Sequence, residues 1–181
     1  MILRLPPDAL VVLIGASGAG KSTFAAAHFR PSQVLSSDAM RAMVADDPND
    51  QSATESAFEL LHTLLDLRLA RGRLSVVDAT NVEGWARERL LEVARRHRRP
   101  TAAIAIDLPL QVCLERNATR ADRSVPPAAV RRQHAALRRS IGSLADEGFE
   151  QVLRLDSPGA VSEARVLLAR SEGRGEASAQ A

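Results

Sequence analysis

Short strand-like runs alternate along this chain with longer stretches whose apolar positions follow a helical rhythm. Leu10–Ile14 is apolar at every position, the mark of a strand buried on both faces in a parallel sheet. A helix is expected from about Lys21 to Phe29, stopped by Pro31, and Gln33–Ser36 reads as a second strand. Ser36-Ser37-Asp38 leads into a second helix with Asp38 as its N-cap, followed by a Pro-broken polar loop at 46–50. Ser52-x-x-Glu55 reads as a capping box opening a longer helix, with Phe58, Leu61, Leu65 and Leu69 as its apolar stripe. Gly72 ends that helix and Leu74–Val77 is a third strand, closing on Asp78-Ala79-Thr80-Asn81. A basic helix over roughly 83–98, a fourth strand at Thr101–Asp107 and a helix from Pro109 to about Thr119 come next. The pattern breaks at 120–127, then resumes with a helix over about 128–147, a fifth strand at Gln151–Leu155 and a final helix at Pro158–Ala169.

Strands alternating with helices imply an α/β fold, a five-stranded parallel sheet with helices on both faces. The pattern predicts one domain over 1–169, with residues 1–9 as a short lead and the Gly/Ser/Ala/Glu-rich 170–181 as a disordered tail.

The first strand runs straight into Gly15-Ala16-Ser17-Gly18-Ala19-Gly20-Lys21-Ser22-Thr23, and a helix pattern follows at once. Strand, Gly-x-x-x-x-Gly-Lys-Ser and helix, in that order, are the context of a P-loop. Its glycines let successive N–H groups turn toward one phosphate, and the helix N-terminus adds a positive dipole end. Lys21 is then expected to reach the β- and γ-phosphates of ATP or another nucleoside triphosphate, and the Ser22 hydroxyl to ligate Mg²⁺. Lys21 is the only lysine among 24 basic residues. In an arginine-rich chain, one lysine at the position that needs a compact point charge points to phosphate chemistry rather than a Gly-rich turn.

Composition narrows the partners. The formal net charge is +2, so a polycation is excluded, but so many arginines can still form one basic face for an anionic partner. Aromatic residues make up 3% of the chain, too few for a protein that reads single strands by stacking successive bases. A single cysteine, Cys113, rules out an internal disulfide and fits a reducing cytoplasm; no apolar run is long enough to span a membrane.

Strand ends on the carboxyl side of a parallel sheet are where ligands sit. Asp38 and Arg41, three apart on a helix start, read either as a proton acceptor with an anion clamp, or as an N-cap with a solvated arginine. Asp78 ends a strand where a carboxylate can serve Mg²⁺, its waters or the acceptor side. Asp107, beside Leu108-Pro109, reads as a helix cap. Arg116, Arg120 and Arg123 fall at i, i+4 and i+7, placed to close over a triphosphate as a lid, or else to form a solvated helix face.

In this order and spacing, GASGAGKSTF, LSSDAMR, DDPNDQ, VVDATN and LERNATRADR resemble the kinase module of bacterial polynucleotide kinase–phosphatase proteins, over about residues 11–168. The resemblance implies a P-loop kinase fold with an arginine lid and Mg²⁺-dependent transfer of a γ-phosphate to the 5′-hydroxyl of RNA or DNA. It implies Lys21 and Ser22 on phosphates and metal, and Asp38 as general base. Arg41 would clamp the acceptor's phosphate, Arg116 and Arg123 would act from the lid, and Gln51 would line the acceptor channel. In that family the module usually heads a longer chain with phosphoesterase and nucleotidyltransferase modules, so this sequence reads as a free-standing kinase or a separated domain. A separate phosphatase or ligase is then the expected protein partner.

The alternatives are a kinase of a small-molecule or sugar-nucleotide acceptor, and a non-catalytic ATP-binding interaction module. The basic runs at 95–99 and at Arg131, Arg132, Arg138 and Arg139 read as solvated faces or as nucleic-acid contacts. Trp85 is expected to be packed, Cys113 buried, and the 156–159 loop near the adenine.

Overall fold

The computed structural model describes residues 1–120 and 125–168. Among them the strands are β1 (Ile2–Leu5), β2 (Leu10–Ile14), β3 (Val34–Ser36), β4 (Ser75–Asp78), β5 (Thr101–Ile106), β6 (Gln151–Leu155) and β7 (Arg165–Leu168). The α-helices are α1 (Lys21–His28), α2 (Ser37–Ala45), α3 (Thr54–Ala70), α4 (Gly84–Arg96), α5 (Leu110–Ala118), α6 (Pro127–Ser140) and α7 (Pro158–Glu163). A five-stranded, all-parallel sheet has the order β3-β4-β2-β5-β6, and β1 pairs with β7 in a separate parallel ribbon.

Side chains on a strand alternate between faces, and both faces of this sheet are covered, so β2 must be apolar throughout. Val11 and Leu13 enter one cluster with Val76, Ile104, Ile106 and Phe24 of α1. Leu10, Val12 and Ile14 enter the other with Val77, Ala103 and the α3 residues Ala57, Leu61, Leu65 and Leu69. The chain leaves β2 toward β3 on one side and leaves β5 toward β6 on the other. The crevice where connections diverge from neighbouring strands therefore opens above β2 and β5, where the Gly-rich loop sits. No helix among the described residues is long and apolar enough to cross a membrane.

Several local expectations are corrected. The lead at 1–9 contains β1, whose Leu3 and Leu5 are buried while Ile2 and Arg4 are exposed. The predicted final helix stops at Glu163, and 165–168 is the strand that pairs with β1. Ser36, not Asp38, caps α2, accepting the Ala39 N–H. The Ser52–Glu55 capping box does not form: the Asp50 side chain accepts the Ser52 N–H, and α3 starts at Thr54 after a 3₁₀ turn. The helix expected to reach 147 ends at Ser140 in another 3₁₀ turn. The expected tail, 170–181, lies outside the described residues.

Candidate active site

The loop between β2 and α1 is made largely of backbone. Gly18 and Gly20 have φ of 81° and 98°, the left-handed region that glycine enters without steric cost. A Cβ on Gly18 would also collide with the Cys113 carbonyl. No side chain caps the first turn of α1, so its amide groups remain available to an anion. Gly15, Ala16 and Ala19 are buried beneath the loop and shape it, whereas Ser17, Gly18, Gly20, Lys21, Ser22 and Thr23 line the cleft above.

Lys21 is buried, its Nζ donating to Gly15 O at 2.8 Å and Ala16 O at 3.0 Å. Burial lowers its pKa to about 8, against the opposing pull of Asp78 and Asp38. Asp78, at the end of β4, is buried and shifted upward by desolvation, opposed by a hydrogen bond from Ser22 and by the charges of Lys21 and Arg120. A buried carboxylate joined to a serine hydroxyl beside a lysine is a hard-oxygen pair that suits Mg²⁺ when phosphates and waters supply the other ligands. Among the described residues no cluster of metal-ligating side chains competes with it.

The loop after β4 is tied down next to this. Thr80 O accepts the Gly15 N–H at 3.0 Å, and Asn81 Nδ2 donates to Leu13 O at 2.8 Å. Asp78, Ala79 and Thr80 thereby form part of the floor of a cleft of about 1130 Å³.

Asp38 and Arg41 stand on α2 and line the same cleft as the loop. Arg41 is 4% exposed and ion-paired to Asp38, and its Nε donates to Pro48 O at 2.9 Å. Three residues apart on a helix brings the two side chains together, and the Pro48 carbonyl fixes the guanidinium from behind. Gln51, Thr54 and Phe58 extend this wall. Gln51 is exposed and donates to Asn49 O at 3.1 Å. Phe58, expected in the α3 stripe, is half-buried and turned to the cleft while Ala57 takes its place in the core.

Opposite, Arg116 on α5 and Arg120 just beyond it line the cleft. The Arg116 guanidinium reaches to 3.5 Å from where a Cβ on Gly20 would stand. Buried Asn117 pairs with both backbone groups of Val125, at 2.7 and 3.2 Å, closing the chain between α5 and α6. Arg123 lies outside the described residues, and with it part of the expected lid. The cleft is also lined by the apolar side chains of Phe24, Ala27, Pro158 and Val161, with His28 and Ser162 beside them, apolar surface of the kind a base can lie against. Pro158, within the 156–159 segment expected near the adenine, is the first residue of α7 and lines the cleft.

Two cleft residues left no local signal in the sequence. Gln133 on α6 accepts the Ser17 N–H through Oε1 at 2.9 Å, across 116 residues of chain. His28 became visible only through the packing of α1.

Asp107, expected as a helix cap, instead accepts from Arg138 at 2.9 Å and Arg154 at 2.6 and 3.1 Å. Arg95, Arg96, His97 and Arg99 are taken up by Glu88, Asp66 and Asp8. Trp85, expected to be packed, is 69% exposed.

Parallel sheet, Gly-rich loop and buried lysine together define a P-loop protein with the fold of the P-loop kinases. A family model described as an AAA domain (AAA_33) matches residues 10–142, and the chain belongs to that family. A search of curated protein sequences returned no match. Among solved structures, a provisionally assigned kinase from Chloroflexus aurantiacus J-10-fl is similar at 19% identity and TM-score 0.62, covering 85% of this chain and 86% of that one. A gluconokinase from Sinorhizobium meliloti 1021 aligns at 20% identity and TM-score 0.54, covering 87% of each chain. A chain of a Pnkp1/Rnl/Hen1 complex aligns at 23% identity and TM-score 0.52 over 63% of this chain and 40% of its own length.

Proposed function

We propose that this protein is an ATP-dependent polynucleotide 5′-hydroxyl kinase that phosphorylates the 5′-OH end of RNA or DNA, as in end healing during nucleic-acid repair. One observation carries the reading: a carboxylate paired to a buried arginine faces the Gly-rich loop across a single cleft. A nucleotide switch has no use for a proton acceptor on that wall; a phosphotransferase needs one there.

In this reading the triphosphate lies along the loop, its base against the apolar surface of Phe24 and Val161 and its terminal phosphate toward Asp38. Lys21 neutralises charge between the β- and γ-phosphates. Asp38 accepts the proton of the acceptor hydroxyl as its oxygen bonds to the γ-phosphorus and the bond to the β-phosphate oxygen breaks, releasing ADP. Arg41, held by Asp38 and Pro48, orients the carboxylate and offers the acceptor's phosphate a cation. Arg116 and Arg120 stabilise the transferring group from the opposite wall, and Arg123 takes the same role from the resemblance alone. Ser22 and Asp78 are the residues that would hold Mg²⁺, which when bound neutralises phosphate charge. Gln51, Thr54 and Phe58 would receive the terminal nucleoside. A cytoplasmic setting, and work alongside a separate phosphatase or ligase, are consistent with the lone cysteine and with the resemblance above.

The fold likeness to a gluconokinase over most of both chains favours a second reading, transfer to a small hydroxyl acceptor. Incubation with γ-labelled ATP and Mg²⁺, offering in parallel a 5′-OH oligonucleotide and a pool of small hydroxyl metabolites, separates the two. Label on the oligonucleotide is the expected result. Label on a metabolite alone establishes the second reading, and label on neither reduces the protein to a nucleotide-binding module.

A further inference from the structure

The four arginines of α6 do different work. Arg138 is committed to Asp107 at the end of β5. That ion pair acts with the His134 ring nitrogen on Leu108 O (3.1 Å), Ser140 Oγ on Val82 O (3.3 Å) and Gln133 on the Ser17 amide to fix the helix across the loops that follow β5, β4 and β2. With α6 held in this way, Arg132 and Arg139 project from it seven residues apart, about 10 Å of helix rise. Both are exposed, and neither makes an ion pair with a described residue. The arginines at 95, 96 and 99 differ: each is taken up by an acidic side chain.

Arg132 and Arg139 line a second cavity of about 350 Å³, shared with Ala129, Ala135, Gln133 and the single carboxylate of Glu83. Gln133 lines both this cavity and the main cleft, so the two spaces meet at its side chain. Two residues beyond Glu83 stands Trp85, the chain's one tryptophan, exposed on the first turn of α4. Exposed cations spaced along one helix, alanines beside them, and an exposed indole two residues along the chain from the cavity's Glu83, outside its lining, are what a single strand uses: phosphate contacts plus one stacking surface at the rim.

We infer that this groove carries the acceptor strand beyond its first nucleotide, its phosphates on Arg132 and Arg139 and a base against Trp85. The inference rests on the polynucleotide reading and gives it a direction: the strand leaves the cleft past Gln133 and runs along α6. It also explains how a chain with few aromatics can prefer a polymer without reading its sequence.

The test uses the full chain. Transfer from ATP is measured on 5′-OH oligonucleotides of two, four, eight and twelve nucleotides and on a nucleoside 3′-monophosphate, with wild type and R132Q/R139Q. In wild type KM falls with acceptor length. In the double variant that gain is lost: KM for the octamer rises at least about tenfold more than KM for the 3′-monophosphate, and the log–log salt slope shrinks by about 1.4, two single-strand contacts. Binding is read independently of transfer by quenching of Trp85 fluorescence on adding octamer without ATP, which R132Q/R139Q should weaken by a similar factor. Equal length dependence and equal quenching in wild type and variant would overturn the groove while leaving the kinase intact. Absence of both transfer and quenching with every oligonucleotide would overturn the polynucleotide reading and the groove together. Transfer to the 3′-monophosphate with no gain from length overturns the groove alone.

Discussion

Among the described residues two arginines are buried, Arg41 and Arg87, and each is paired with a carboxylate; one pair belongs to the scaffold and the other to the cleft. Arg87 sets Nε and Nη2 on the two oxygens of Glu147, at 2.6 and 2.5 Å, and spends Nη1 on Asn81 O at 2.9 Å. That is a closed, forked pair tying α4 to the segment after α6. Arg41 divides its fork instead, Nη2 on Asp38 and Nε on the Pro48 carbonyl, and its carboxylate partner is partly open to the cleft. These bonds of both guanidinium groups end on protein; what differs is the carboxylate, since the Asp38 side chain is 33% exposed and lines the cleft, whereas that of Glu147 is 19% exposed and does not.

The sharpest way to break this contrast is Asp38→Ala. Transfer should fall by about 10²–10⁴, the worth of a positioned base, while affinity for ATP stays within about twofold. Full transfer in this variant would remove Asp38 from the base role. Asp38→Ala also takes the carboxylate from buried Arg41, so its transfer is read below its own melting point; Glu147→Ala should lose stability and keep transfer. Arg87 would be left charged and unpaired in the interior, lowering unfolding free energy by about 3–5 kcal/mol in a denaturant titration. Below the new melting point its transfer rate should stay near wild type. A variant as stable as wild type would mean that the pair is not structural.

A smaller effect concerns pH. Burial lowers the Lys21 pKa to about 8, so its charged form in the empty loop is present below that pH and lost above it. Phosphate favours the charged form and raises the pKa on binding, so nucleotide binding takes up a proton above pH 8. Affinity for ATP should be flat from pH 6.5 to 7.5 and then fall, at most about tenfold per unit. Fluorescent-nucleotide titration at several pH values measures this. A flat profile to pH 9.5 would show that Lys21 keeps its proton in the empty loop.

What the sequence made legible follows from how each part is built. The loop and the strands of the central sheet depend on local chemistry, glycine conformations, apolar runs in β2 and β5 and alternation in β6, which a linear reading captures. The β1–β7 ribbon was missed because each strand has only four residues and neither has a local partner. Ile2–Leu5 is cut off by Pro6-Pro7, and Arg165–Leu168 continues the apolar spacing of the helix before it, so neither stood out as a strand. On the cleft wall formed by α2 and the start of α3 the residue types at 38, 41 and 51 were legible, but the division of the Arg41 fork was not, since it depends on a carbonyl in a loop. Gln133 carried no signal because its partner is 116 positions away. Trp85 shows the opposite failure: the assumption that large aromatics pack gave way to a helix whose inward face was already filled by Arg87, Leu90, Leu91 and Ala94.

The absence of room at Gly18 has a mechanical consequence. Its backbone rests against the carbonyl of Cys113, in the second turn of α5, and Arg116 lies three residues further along that helix. The two elements are therefore in register: the Gly-rich loop cannot be displaced toward α5 without displacing the helix that carries Arg116, because their contact is too tight to admit a methyl group.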